Sequence, residues 1–417
     1  MKLVGILRGG SFYPKMIKNV LPTKHKYDAN VTWSAHTDTY KPTLTGHGID
    51  AEINAFKYNL QLTILISPTT DTIYEKEIND VLETGRMGVG LYFRTMYPIQ
   101  EQVDFFEDVV GRGASYWSYG NGIRDHDAFV TANGLVSRLS HSGEYSYDFS
   151  DRLGHKVSSL FNYDIRDKGQ EQALIDAETN LTNAIIEEGW FNDFSHWHWA
   201  EQHGDINQLE QFFSSQRAIL DTTSSVALSA GEAVEYMWLR KLYKRGGIFQ
   251  DGDELVLISD VRNEVSLPFK SINTSLSVRV DVSGTTLEGR DIDADADVFK
   301  KDDNLFVVQV PYSRRDGFRA VRLWATSTPS YLDLSPPQIL SVTKTGSKVT
   351  VITDKPTNVV LFGVPSGGML YQASVLNRSN ILSTTHDIEV GATTGLDIYV
   401  GAITKQKQSV LSTQYTL

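Results

Sequence analysis

The 417-residue chain contains no cysteine, which excludes disulfides, thiolate metal sites and cysteine nucleophiles. A chain without thiols suits oxidising and reducing surroundings alike, so the absence leaves the compartment open. Cationic residues are the minority, with 39 Lys and Arg against 51 Asp and Glu and a formal net charge of -12. A surface of that sign repels phosphate backbones and no Lys/Arg-rich run offsets it, so nucleic acid is not expected as a partner. Long apolar runs are also missing. No window approaches the ~20 apolar residues of a membrane span. The apolar stretch within residues 1–10 is too short for a signal-peptide core and is broken by Arg8. There is no Gly-x-Ser-x-Gly elbow of a serine esterase, and Gly9 and Gly10 form no phosphate-loop pattern.

The remaining composition is that of a folded chain: 41% hydrophobic and 22% charged residues argue against disorder, and the length suits several domains. Over the first 220 residues short apolar runs alternate with segments of helical period, the pattern of a sheet whose crossovers are helices. Strands are expected at 3–7, 31–35, 60–66, 88–93, 115–119 and 190–194. Leu174, Ala177, Leu181, Ala184 and Ile185 repeat at three and four within a helix from 172 to 188, with Gly189 as its stop signal. Asp205 three residues before Gln208 reads as a capping box for a second helix. Ser229 and Glu232 open a third, expected to close at Gly246-Gly247. Further helical runs lie at 74–84 and 100–110. Six strands with helices between them favour a complete or partial β/α barrel, with a doubly wound sheet as the alternative.

After Gly247 the period changes to two. Asp251-Gly252 reads as a hairpin turn, and Leu276, Val278, Val280 and Val282 alternate with polar neighbours as a half-buried strand requires. Strands follow at 305–310 and 320–325, then Pro336-Pro337 marks a linker, and further strands are expected at 349–352, 358–362 and 396–403. The expected domains are therefore a β/α barrel over 1–250, a β-sandwich over 251–335 and an immunoglobulin-like sandwich over 336–417. Asp291, Asp293, Asp295 and Asp297 alternate, but Ala296 stands where a calcium loop of the EF-hand type needs glycine, so a solvated acidic strand edge is expected.

Reactive groups of parallel β/α folds gather where strands end. His36, Asp38 and Tyr40 follow one expected strand; Tyr92, Arg94 and Tyr97 another; Trp117, Tyr119 and Asn121 a third; and Asp193, His196, Trp197, His198 and Trp199 the last. In this order the chain resembles the polysaccharide deacetylase family of NodB type. The run from Asn30 to Asp38 looks like its first motif, a strand ending in an aspartate pair of base and metal ligand. Residues 60–66 are similar to its second strand, and Gly85 to Arg94 occupies the place of its histidine-bearing third. Ser118-Tyr119-Gly120-Asn121-Gly122 resembles the turn after the fourth, and Gly189 to His198 the last strand with its late catalytic histidine.

The resemblance implies a metal-dependent hydrolase of acylated polysaccharide. It also departs from the family: Tyr92, Arg94 and Tyr97 stand in place of the two metal-binding histidines, and the aspartate pair is reduced to Asp38 with His36. A zinc or other divalent site would use His36, Asp38 and His198, with Asp38, His196 and His198 as the catalytic groups. Trp33, Tyr40, Tyr92, Arg94, Trp117, Tyr119, Asn121, Asp193 and Trp197 would contact the glycan, the aromatic rings by stacking on sugar faces. For each histidine the competing reading is a hydrogen-bonded structural residue, and for the tryptophans core packing. The second functional reading is a metal-free glycan-binding or structural protein, such as a bacteriophage tail or fibre component, joined to a larger assembly through its C-terminal β domains. An extracellular or virion-associated location is expected on that architecture, with the cytoplasm left open.

Overall fold

The computed structural model describes residues 17–20, 31–37, 47–68, 82–85, 87–93, 97–119, 128–129, 136–142, 155–159, 161–195, 208–223, 225–243, 245–260, 274–312 and 318–415. After β1 (Ile17–Val20), which belongs to a later sheet, come β2 (Val31–Thr37), helix α1 (His47–Lys57), β3 (Leu62–Ile66), β4 (Met87–Phe93), α2 (Ile99–Val110) and β5 (Tyr116–Tyr119). They are followed by β6 (Val136–Ser142), β7 (His155–Val157), α3 (Phe161–Lys168), α4 (Gln170–Ile186), β8 (Trp190–Phe194), α5 (Gln208–Asp221), β9 (Ser225–Ala227) and α6 (Ala230–Leu242). The strands form one all-parallel sheet in the order β7-β6-β5-β4-β3-β2-β8, with β9 beside the start of β2.

Both faces of this sheet are covered, which is why strands such as Leu62–Ile66 are apolar almost without alternation and wholly buried. On one face Leu62, Ile64, Val89, Leu91, Trp117 and Phe191 pack against α2, α4 and α5 through Phe106, Leu181 and Phe212. On the other, Leu65, Tyr116, Trp190 and Phe194 meet Ala230, Ala233, Val234 and Met237 of α6. That second helix approaches closely because β4 carries glycine there: a Cβ on Gly88 would lie 2.1 Å from the Cβ of Ser229. Ser229 caps α6 by accepting from the Glu232 amide at 3.3 Å, and the Ala230 amide donates to Thr63 Oγ1 at 2.7 Å, fixing the helix start on β3.

The sheet curls. Asn192 Nδ2 of β8 donates to the Tyr116 hydroxyl of β5 at 3.3 Å, although three strands separate them in the sheet order. At the two ends of the order, the Ser158 amide just after β7 donates to Asn192 O at 2.8 Å, and the Phe194 amide of β8 donates to Ser159 O at 3.1 Å. Two details differ from the sequence expectation. The stop of α4 falls on Glu188, which takes the left-handed backbone at φ 51 one residue before Gly189. Helix α6 ends at Leu242, and Gly246-Gly247 lies inside the following strand. Strand-directed pairing there outweighs the glycines' helix-ending signal. The expected strand at 3–7 and the capping residue Asp205 lie outside the described residues.

The next region comprises β10 (Arg245–Asp251), β11 (Glu254–Asp260), β12 (Ser275–Asp281), β13 (Ile292–Ala294), β14 (Val298–Lys300), β15 (Leu305–Pro311) and β16 (Phe318–Ala325). They form two four-stranded antiparallel sheets, β1-β12-β15-β14 and β10-β11-β16-β13. Gly252, at φ 64, takes the left-handed position in the β10–β11 turn, so the boundary expected after residue 250 falls at the tip of a hairpin. Strand β1 contributes from the far N-terminus, and Ile248, Leu257, Val278, Val308 and Leu323 share one continuous core with α6. Edge strand β13 carries Asp293 of the alternating aspartates, and the carboxylates on either side of it turn to different partners: Asp291 accepts from Lys300 Nζ at 2.9 Å and the Tyr331 hydroxyl at 3.0 Å, Asp295 from the Arg322 amide at 2.8 Å.

The C-terminal region holds β17 (Ile339–Thr345), β18 (Lys348–Pro365), β19 (Ser374–Glu389), β20 (Leu396–Thr404) and β21 (Ser409–Leu411). The two strands expected at 349–352 and 358–362 are one long strand whose register shifts between Ile352 and Val359. Its first half pairs with β17 and its second with β20, so hydrogen bonds join all five strands. Val349, Val351, Val359 and Leu361 point into one core. Val360, Phe362 and Val364 point the other way, onto Ile53 and Phe56 of α1.

This docking makes α1 an internal helix: residues 51–56 are all buried. Ala51 and Ala55 face the parallel domain, Phe56 meets Phe362 edge-on at 6.0 Å, and a Cβ on Gly401 would come within 2.9 Å of the Phe56 ring. Glu52, fully buried, receives both Nη atoms of Arg378 from β19, and the same guanidinium donates to Thr84 Oγ1 at 3.2 Å. A buried bidentate pair contributes little relative to a well-packed apolar pair but is costly to break. Arg378→Met should therefore lower unfolding stability by about 3–5 kcal/mol. The double variant Glu52→Leu with Arg378→Met should recover most of that loss, as read by urea denaturation of the full chain.

Candidate active site at the strand ends

All strands of the parallel sheet point the same way, so the segments leaving their C-terminal ends emerge at one edge. At that edge β2 and β8 are direct neighbours, with Thr32 opposite Trp190 and His36 opposite Phe194. Adjacent strands lie ~4.8 Å apart, so the segments beginning at residues 38 and 195 start side by side. β3 follows on the other side of β2 with His36 opposite Thr63, and then β4 and β5 with Tyr92 opposite Ser118 and Phe93 opposite Tyr119.

Of the residues expected to form the site, Asp193, Tyr92 and Trp117 have described side chains. Trp33, His36 and Tyr119 lie on the described strands β2 and β5, but their side chains lie outside the described part. Asp38, Tyr40, Arg94, Asn121, His196, Trp197 and His198 lie outside the described residues altogether. Tyr92 is half-buried and packs against the α6 side of the sheet. Trp117 is fully buried on the opposite, helix-covered side, stacked on Phe93 with ring centres 5.6 Å apart and an interplanar angle of 19°. Its ring is a core element there, so it offers no face to solvent.

Asp193 is fully buried. Its Oδ1 accepts from the Phe161 amide at 3.2 Å, at the first residue of α3, and its Oδ2 accepts from Ser195 Oγ at 2.8 Å. Burial pushes its pKa up to about 6, against the opposing hydrogen bonds from Ser159, Ser195 and Phe161. With both oxygens engaged, Asp193 ties the exit of β8 to the start of α3 and fixes the point from which residues 196–199 depart. Sequence reasoning reads Asp193 as a glycan contact. Its partners Ser159 and Ser195 went unnoticed, and only the i, i+2 spacing of Asp193 and Ser195 hinted at the bond. A second buried carboxylate was also missed: Glu235 of α6, bound by Arg112 Nη1 at 2.7 Å and by Ser115 Oγ. Among the described residues no three His, Asp or Glu side chains come together as a metal-holding group, and no helix is long and apolar enough to cross a membrane.

Because the folded-state pKa of Asp193 lies above its unfolded value of 3.8, the native state binds the extra proton. Its contribution to stability is complete below about pH 4 and is lost as pH rises through about 6. Relative to Asp193→Asn, the wild-type chain should gain on the order of 2–3 kcal/mol of unfolding stability between pH 7 and pH 4, measured by paired denaturant titrations. A difference that stays flat across this range would show that the carboxylate is not held in the protonated form.

No family model matches the chain, and no curated protein does. Solved structures that it resembles include a protein assigned as a polysaccharide deacetylase from Mycobacterium smegmatis, with a TM-score of 0.40 and 11% identity, covering 54% of this chain and 96% of that one. Another is a family 4 acetyl xylan esterase from Clostridium thermocellum in complex with a cobalt ion, with a TM-score of 0.30 and 12% identity, covering 49% of this chain and 89% of that one. At this level of similarity neither neighbour assigns a residue or a reaction to this chain.

Proposed function

We propose that the chain is a deacetylase-like hydrolase of acylated surface glycans, working at the sheet edge where β2 and β8 end. The observation that carries this reading is the register of those two strands, His36 opposite Phe194. It starts the segment bearing Asp38 and the segment bearing His196 and His198 from neighbouring points on one edge. The hydrogen bonds that link β8 to the residues after β7 support a further step, a barrel closed around α6.

The donor set His36, Asp38 and His198 suits a divalent metal such as zinc, since two imidazoles and a carboxylate leave a coordination position open. These residues would hold the metal, whose chemistry there would be to acidify a bound water and polarise an acyl carbonyl. Around it, Asp38 and His196 would hold and return the proton that moves between water and the departing sugar group. Trp197, Tyr40 and Tyr119 would stack on the sugar rings, with Arg94 and Asn121 hydrogen-bonding the acyl group and hydroxyls. Asp193 is a positioning residue in this scheme, acting through Ser195 on the histidine-bearing segment.

Purified full-length protein should contain about one zinc, or take up one zinc or cobalt per chain, and release acetate from acetylated polysaccharide. Asp38→Ala and His198→Ala should each abolish both metal retention and acetate release, with thermal unfolding matching that of the metal-free wild type. Metal-free protein that still binds glycan and releases no acetate would overturn the hydrolase in favour of a glycan-binding component.

A further inference from the structure

At the opposite end of the parallel sheet, remote from the strand exits, the three regions of the chain leave a cavity of about 440 Å³. That volume is within the range of small-molecule sites, which favour boundaries between domains. Its walls come from the end of α1 (Lys57, Tyr58, Asn59), the last turn of α5 (Arg217, Asp221), β9, the linker around Leu334 and Pro336, and the turn leading into β21 (Lys407, Gln408, Ser409). We propose that this seam binds a small acidic sugar, with its carboxylate or phosphate on the cations and its hydroxyls on the neutral polar groups.

Charge is the first argument. Three cations, Lys57, Arg217 and Lys407, line the cavity against one carboxylate, Asp221, in a chain whose net charge is -12. Asp221 spends Oδ1 on Arg217, at 2.8 Å from Nε and 2.6 Å from Nη2. Lys57 is held by Glu210 from outside the lining. The ends of α1 and α5 would ordinarily bring unsatisfied carbonyls here, which disfavour anions. Those carbonyls are already occupied: Asn54 O, Ala55 O and Phe56 O accept from the amides of Tyr58, Leu60 and Asn59, and Ile219 O and Leu220 O from the amides and hydroxyls of Thr222 and Thr223.

Backbone strain is the second. Among the described residues three non-glycine residues have positive φ, and two of them, Asn59 at 49° and Lys407 at 65°, line this cavity. Asn59 is the ordinary left-handed residue that closes α1, with the Leu60 amide on Ala55 O, but a lysine in that region is disfavoured, and such conformations gather where function holds them. Both residues sit on the seam itself. Asn59 Nδ2 donates to Gln408 Oε1 at 3.0 Å and its Oδ1 accepts from the Ser409 amide at 2.8 Å, so the cavity wall is one hydrogen-bonded unit spanning 350 residues of sequence. The cavity therefore exists only when the C-terminal sheet is docked.

The test is calorimetric titration of the full chain with glucuronate, glucose 6-phosphate, glucose and inorganic phosphate. Glucuronate or glucose 6-phosphate should bind at millimolar levels or tighter while glucose does not. Arg217→Gln should weaken that binding at least tenfold with the unliganded melting temperature unchanged, and Lys57→Gln should do the same. Preference for one acidic sugar identifies the oxyanion. Glucose binding as well as the acids, inorganic phosphate alone binding, or either variant binding like wild type would overturn the proposal. None of these outcomes depends on hydrolysis at the other end of the sheet.

Discussion

The structure depends most on α1 being buried from both sides. A helix with one apolar stripe can serve one core, whereas Ala51 to Phe56 are buried without interruption because two layers close on them. Alanines face the parallel sheet, where close helix packing is needed, and Ile53 and Phe56 face the C-terminal sheet, where bulk fills the space against Phe362 and Gly401. Glu52 lies between the two interfaces and would be an uncompensated charge without Arg378, 326 residues later. The ion pair thus makes one relative position of the two regions much less costly than any other.

The same logic of covered surfaces runs through the rest of the chain. Helix α6 is shared between the curled parallel sheet and the β-sandwich, and β1 reaches from the N-terminus into that sandwich. The three regions are consequently not beads on a string. An edge at which β2 and β8 end side by side is held by helices on one face, by α6 on the other, and by the Asp193 carboxyl clamping the start of α3. The opposite edge is closed by the C-terminal sheet, whose turn at Lys407 completes the seam cavity. One sheet therefore has two distinct ends, with the exits of β2, β3, β4 and β8 at one and a cation-lined recess at the other.

Where local physics sufficed, the chain could be read directly. β8 at Trp190–Phe194, the five residues of β3, α2, and the Ser229 cap of α6 follow from apolar runs, period and capping chemistry within a few residues. β6, β7 and β9 were not legible. They are short or polar, as Val136–Ser142 and His155–Val157 show, and parallel neighbours make them strands. α1 was missed for a related reason: two of its buried residues, Glu52 and Asn54, are polar and two more are small alanines, so its burial by two layers leaves little apolar signal.

What the sequence by itself determined was the parallel β/α character of the first half and the change to period-two strands after Gly247. Those features are set by interactions within a few residues. Tertiary structure alone decided that Trp117 turns into the core and not toward a ligand, and that Asp193 is a buried clamp with a raised pKa. It also decided that Glu52 meets Arg378 and that Asn59 meets Ser409. Each of these outcomes depends on which face of an element is covered and by what, and no local pattern carries that information because the covering residues come from hundreds of positions away.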